Sequence, residues 1–217
     1  MREKGFAGSD RCKIGNAAQH SPRNMQVGLL VHYLKNKRET GARHLALGEL
    51  DLRIDDDHMY HGAALIQIAE DTHFTAINTL HFKGTSCKVA YKINDKIAVY
   101  LKYASRPLKN TNEYPFSFTT QQIRELKGIA KVNENLFLAL VCVEEREICG
   151  IPYSRLLDLI ARRREAKGSS ESQYTLLVTV EPGKSLRLYV NEPKRRGCIL
   201  GKPLIVSRNA FPKILFR

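Results

Sequence analysis

The sequence has no closely spaced cysteine pair, no long apolar run and none of the compact motifs of a hydrolase triad or a nucleoside-triphosphate site. Its five cysteines are Cys12, Cys87, Cys142, Cys149 and Cys198, odd in number and widely spaced. Structural zinc draws on closely spaced ligand pairs, so a cysteine-built zinc site is disfavoured. Reduced thiols serving as small packing residues in a cytoplasmic protein are the expectation. No apolar stretch approaches the roughly 20 residues of a membrane span. The opening MREKGFAGSDRCKIG is positively charged without an apolar centre, unlike a secretory signal. Gly-x-Ser-x-Gly and the dinucleotide fingerprint are missing. Gly183-Lys184-Ser185 lacks the first glycine of a P-loop, because Val178 stands five residues before Gly183. A hydrolase triad or an NTPase is therefore disfavoured, although a triad scattered along the chain leaves no compact signature.

What the chain has in excess is positive charge. Its 217 residues carry 35 Lys and Arg against 22 Asp and Glu, a formal net charge of +13. The distribution is uneven. Residues 45–81 hold seven acids and one base, Arg53, for −6, which leaves +19 elsewhere. Such an excess attracts polyanions, and phosphate contacts supply most nonspecific nucleic-acid affinity. No basic amphipathic helix with a bulky apolar face favours a membrane instead. The plain alternative is solubility alone, since net charge bears on association rather than fold. With 43% hydrophobic residues the chain can bury one sizeable core.

The pattern along the chain predicts a flexible basic N-terminal segment over 1–24 and a single α/β domain over 25–217. Val27, Leu30, Val31 and Leu34 mark one face of a helix within 25–39. Leu45 to Ile54 suggests one or two short strands, with Leu50, Leu52 and Ile54 alternating against polar residues. A second helix is expected from about Tyr60 to Glu70. It is apolar on two sides, with Ala64, Leu65 and Ile68 on one and Ala63 and Ile66 on the other, so burial is expected. That places Glu70 at the core edge, where a carboxylate is costly unless paired or bound to a cation.

Phe74 to Leu80 reads as a strand, and Ser86 to Ala104 as a hairpin turning at Asn94-Asp95. Residues 106–115 read as a loop. Thr119-Thr120-Gln121-Gln122 has the form of a capping box opening a helix that carries Ile123, Leu126, Ile129 and Ala130. Gly128 weakens that helix by about 1 kcal/mol relative to alanine. The run LFLALVCV, residues 136–143, fits a central strand covered on both faces, with Ile148 to Ile151 as a partner. Tyr153, Leu156, Leu157 and Ile160 predict a helix closed by Arg162-Arg163-Arg164 and Gly168. Strands follow at 174–180 and 186–190, joined through Pro182-Gly183, and the apolar tail 204–216 reads as an edge strand.

The hairpin ends in a lysine. Lys102 follows Ile97, Val99 and Leu101, which alternate with Ala98 and Tyr100, so the alternation sets Lys102 opposite an apolar face. The order helix, strand, hairpin, helix, strand, with a lysine on the last hairpin strand, resembles the core of the PD-(D/E)XK nucleases, the restriction-endonuclease-like superfamily. The resemblance spans roughly residues 60–143. It implies a mixed central β-sheet flanked by helices, here with a C-terminal β extension. It also implies an Mg²⁺-dependent endonuclease acting on DNA, in which acids hold the metal and the lysine orients or activates water.

On this sequence the family pattern falls on VYLKY, with Lys102 in the lysine position and Tyr100 where an acid belongs. Tyrosine does not replace a carboxylate as an anionic Mg²⁺ ligand. Asp95 is the nearest upstream acid, seven residues before Lys102, which is on the order of 23 Å of extended strand. Glu70 and Asp71 are the acids left to join it. The resemblance thus names Lys102, Glu70 and Asp95 as catalytic, with Glu70, Asp71 and Asp95 as metal ligands.

Asp55-Asp56-Asp57-His58 with His61 is a second candidate. Asp57 and His61 share a helix face and suit a divalent metal, while acids ahead of a helix also cap it and favour its dipole. For nucleic-acid contact the candidates are Lys92 and Tyr100 on the hairpin, and Lys194, Arg195 and Arg196 in a Pro/Gly-flanked loop. Arg162, Arg163 and Arg164 are contiguous on a helix and cannot all face one ligand. Three readings follow: a metal-dependent DNA endonuclease, a catalytically inactive nucleic-acid-binding module, and a homodimer or basic subunit of a larger complex docking through its apolar tail.

Overall fold

The computed structural model describes residues 54–82, 85–195 and 197–217. The helix expected within 25–39, the strands expected over 45–53, and Arg196 lie outside the described residues. The elements are α1 (Asp56–Ala69), β1 (Ile77–Phe82), β2 (Thr85–Ile93), β3 (Ile97–Ala104), β4 (Glu113–Thr119), α2 (Thr120–Val132), β5 (Asn135–Cys142), β6 (Glu147–Pro152), α3 (Tyr153–Lys167), β7 (Gln173–Thr179), β8 (Leu186–Tyr189), β9 (Leu204–Val206) and a 3-10 turn, Lys213–Phe216.

The fold is α+β, with two sheets rather than one. A five-stranded mixed sheet has the order β1-β2-β3-β5-β6, in which β3 and β5 are parallel and the other pairs antiparallel. A four-stranded antiparallel sheet has the order β4-β7-β8-β9. The C-terminal extension is therefore three strands of a second sheet, and β4 supplies the fourth. The expected loop at 106–115 ends early, because Glu113 to Pro115 already pair with β7.

Capping sets where the helices begin. α1 starts four residues before the apolar spacing implies. Asp55 is its N-cap and accepts from the His58 backbone N–H at 2.9 Å, while His58 Nδ1 accepts from the Asp55 N–H at 3.2 Å. Thr119 and Gln122 form the predicted box on α2 at 3.2 and 3.1 Å. α3 closes on Gly168 at φ 73°, the left-handed conformation that glycine adopts without a Cβ penalty.

β3 is buried on both faces. Ala98, Tyr100 and Ala104 join the larger core with α2, α3 and the second sheet. Ile97, Val99 and Leu101 join a smaller core with Ala64, Ile68, Phe211 and Leu215. Lys102 thus stands opposite a buried face, as the alternation implies, and within a second one. α1 also departs from expectation. Its His61, Ala64 and Ile68 stripe is buried, but Met59, Ala63 and Ile66 are exposed among the described residues. On α3 the buried face is Leu156, Leu159 and Ile160, and Leu157 is exposed.

The tail divides into edge strand β9 and a segment that returns under the five-stranded sheet. There Phe211 lies so close to Gly150 that a Cβ at that position would sit 3.0 Å from its ring.

Candidate functional site

Lys102 projects from the C-terminal half of β3, opposite Leu140 of β5. Its ammonium sits 5.0 Å from the centre of the Phe118 ring on β4. The side chain is only partly exposed, and burial pulls its pKa below the ordinary lysine value. An adjacent carboxylate would oppose that shift. Among the described residues none forms an ion pair with Lys102.

The predicted acids lie at the other end of the strand. Asp95 is exposed in the β2–β3 turn. Glu70 is the exposed C-cap of α1, so its expected burial at the core edge does not occur. The Asp71 Oδ1 accepts from the His73 backbone N–H at 3.0 Å and lies 2.9 Å from the His73 ring, and these contacts hold its pKa below the ordinary range.

Asn94 explains this placement. It adopts φ 51° in the turn, and its side-chain oxygen accepts from the backbone N–H of Thr75 and Ala76 at 2.8 and 3.2 Å. Its amide donates to the His73 carbonyl at 2.9 Å. The segment after α1 is thereby tied to the start of β3, with Lys102 roughly 20 Å further along the strand. Glu70, Asp71 and Asp95 are not brought together with Lys102. A metal held at that turn would not share a reaction centre with it.

The start of α1 is what the structure sets beside the Lys102 end of β3. The Tyr103 ring meets Tyr60 at 4.8 Å and the edge of His61 at 5.7 Å. His61 is 3% exposed and its Nε2 has no hydrogen-bond partner. Desolvation lowers the His61 pKa. Asp57 and Asp55 oppose that shift, and Lys102 adds to it. The acids of 55–57 reach Tyr103 too: burial raises its pKa first, and Asp57 and Asp56 add to the rise. Asp55 is a cap, as one of the two readings of this run had it. No group of three or more His, Cys, Asp or Glu capable of holding a metal ion occurs among the described residues.

The nucleic-acid candidates separate clearly. Tyr100 is 1% exposed in the larger core, so it cannot stack on a base. Lys92 is partly exposed, in register with Ala98 on β3 and Asn78 on β1. Lys194 is exposed at φ 65°, and Arg195 is exposed beside Glu192 at 3.4 Å. Arg163 has a structural task. It makes two bonds to Glu171, at 2.8 and 3.1 Å, and donates to the Asn191 carbonyl. That leaves Arg162 and Arg164 exposed and free of ion pairs among the described residues.

No protein-family model, curated protein or solved structure matches this chain. Two features of the site were not read from the sequence. One is Phe118 beneath Lys102, a contact between two sheets that no local spacing encodes. The other is the charge of the C-terminal part. Residues 153–217 hold 14 Lys and Arg against five acids, whereas 54–152 hold 11 against 12. A count by segment would have found the second.

Proposed function

We propose that this protein binds nucleic acid through its C-terminal basic region, on a core of restriction-endonuclease-like order that does not cut at Lys102. The observation that carries the reading is the pairing of an acid-free Lys102 with that concentration of charge in residues 153–217. Within the five-stranded sheet and its helices the order α1, β1, β2, β3, α2, β5, interrupted by β4 leaving for the second sheet, and β5 parallel to the lysine strand support the nuclease-like scaffold. Cleavage by that family's chemistry needs carboxylates around a metal beside the lysine. Here Tyr100 is packed in the core, and Glu70, Asp71 and Asp95 stand at the far end of the strand.

Phosphate binding needs only cations that can approach a backbone. Lys194 and Arg195 on an exposed loop, with Arg164 on α3, meet that requirement. DNA is the expected partner. No helix among the described residues is long and apolar enough to cross a membrane.

The test is incubation with supercoiled plasmid and with single-stranded DNA, in Mg²⁺, Mn²⁺ or EDTA, beside Lys102→Ala. The expected result is salt-sensitive binding by both proteins and no metal-dependent cutting. Neutralising Lys194 and Arg195 should flatten the logarithmic salt dependence by about 0.7 to 0.9 for each phosphate they neutralise in the wild type. Metal-dependent cutting that disappears in Lys102→Ala would restore the endonuclease. No binding at low salt would remove nucleic acid as the partner.

A further inference from the structure

We infer that a cavity between α3 and the β9 approach is a seat for a phosphate monoester, and that its source is the terminal phosphate of a nucleic-acid strand. The inference rests on the nucleic-acid reading for the source, but not for the seat.

The cavity, half open to solvent, holds about 170 Å³ and is lined by Arg155, Asp158, Leu159 and Arg162 of α3 and by Lys202 and Leu204. Helical spacing makes the cationic side. Arg155, Asp158 and Arg162 recur at i, i+3 and i+7, so they stack along one exposed face of the helix. Lys202 closes the opposite side from the loop before β9.

Asp158 engages only one of the three cations, through a 3.5 Å contact with Arg155. Arg162 and Lys202 form no ion pair with a described residue. Three cations and one carboxylate leave a local charge of +2. That balances a phosphate monoester, which carries about −1.5 to −2 at neutral pH, and exceeds the single charge of an internal phosphodiester. At roughly 30 Å³ per liquid water, the volume equals about six waters, enough for a phosphate and the carbon that bears it. Leu159 and Leu204 give an apolar wall that holds no competing acceptor.

The experiment measures binding of a 3′-labelled single-stranded oligonucleotide bearing either a 5′-phosphate or a 5′-hydroxyl. The wild type is compared with Arg162→Gln/Lys202→Gln and with Asp158→Asn. The phosphorylated strand should bind about tenfold tighter, equivalent to about 1.4 kcal/mol. The double variant should abolish that preference, and because both residues belong to the basic region it should weaken the hydroxyl strand as well, by less than it weakens the phosphorylated one. Asp158→Asn should widen it, a gain that loss of fold cannot imitate. Equal affinity for the two strands, unchanged in the variants, would overturn the strand-end assignment.

If neither strand binds at low salt, the nucleic-acid reading fails, and calorimetry with inorganic phosphate and adenosine monophosphate then decides the seat alone. Binding that disappears in the double variant assigns it to a free monoester. No binding of either probe overturns the seat.

Discussion

Replacing Lys102 with methionine separates a lysine kept for chemistry from one that packs. The lysine stem and a methionine side chain have similar length, so the space over Phe118 stays filled. The substitution removes a cation–aromatic contact, seen here at 5.0 Å, of about 0.5 to 2 kcal/mol. A thioether on the same ring returns about 0.3 to 1.5 kcal/mol. These terms nearly cancel. What remains is desolvation, because the ammonium is partly buried without a carboxylate and its pKa is pulled down.

Relief of that penalty should make Lys102→Met more stable by about 1 kcal/mol at neutral pH, at the low end for replacing buried charge with apolar groups. The pH dependence has a definite sign. Below the lowered folded pKa, lysine is charged in both states and the wild type bears the full penalty. As pH rises through that value toward 10.5, the folded lysine loses its proton and the penalty is relieved. The stability gap should therefore narrow in alkali. Urea unfolding of both proteins across this range is the assay, with DNA affinity measured alongside and expected to hold within about twofold. A variant less stable than wild type by about 1 kcal/mol or more at neutral pH would refute the reasoning, since it would mean the ammonium has a strong anionic partner.

Two further predictions concern the second sheet and α3. The buried Tyr189 hydroxyl donates to Glu113 Oε1 at 2.6 Å across the sheet. Burial, with Glu113 next, raises the tyrosine pKa and keeps the proton in place. Tyr189→Phe strands that carboxyl in a buried setting and should cost about 2 to 3 kcal/mol in urea unfolding, whereas Glu113→Gln, which keeps an acceptor, should cost about 1. Glu171 is held at about 2, against an ordinary 4.5, by Arg163 first and Lys167 with it. Its contribution is complete above about 4.5 and lost as pH falls toward 2, so Glu171→Gln should flatten the acid side of the stability curve and cost about 1 to 2 kcal/mol at neutral pH.

Local grammar was the most legible part of this chain. The Asn94-Asp95 turn, the Thr119–Gln122 box and the Gly168 stop were each readable, because each is decided within a few residues. The eight-residue apolar run 136–143 was legible as a strand covered on both sides for the same reason. The division into two sheets was not. β4 follows β3 in the chain but pairs with β7, and the strand alternation of EYPFSFT does not say which partner it takes. The burial around Lys102 was illegible for the same reason. Alternation identifies one buried face of β3, and nothing local shows that the second sheet covers Ala98, Tyr100 and Lys102 on the other. α1 begins before its apolar spacing because the acidic run supplies its cap, and Asp55 and His58 are a capping pair visible in plain sequence.

The candidate metal site was legible only as residue types. Spacing ruled on Asp95, but the position of Glu70 and Asp71 depends on Asn94 pinning residues 73–76, a contact between segments about twenty residues apart. That clasp decides more than a turn. It orients α1 so that its acidic start, not its end, lies beside Lys102. The acids at 55–57 are thus the ones whose charge reaches His61 and Tyr103 at that end of the sheet. Asp55 and Asp56 are exposed and Asp57 partly so, on the Tyr103 side of β3, while Lys102 leaves the strand on the other side, over Phe118, so the strand itself lies between them. A shared metal centre needs ligands on one side of that barrier. The scaffold therefore sets the acids of 55–57 and Lys102 on opposite sides of β3, and under the nucleic-acid proposal phosphate contact falls to α3 and the loops of the second sheet, where residues 153–217 carry 14 Lys and Arg against five acids.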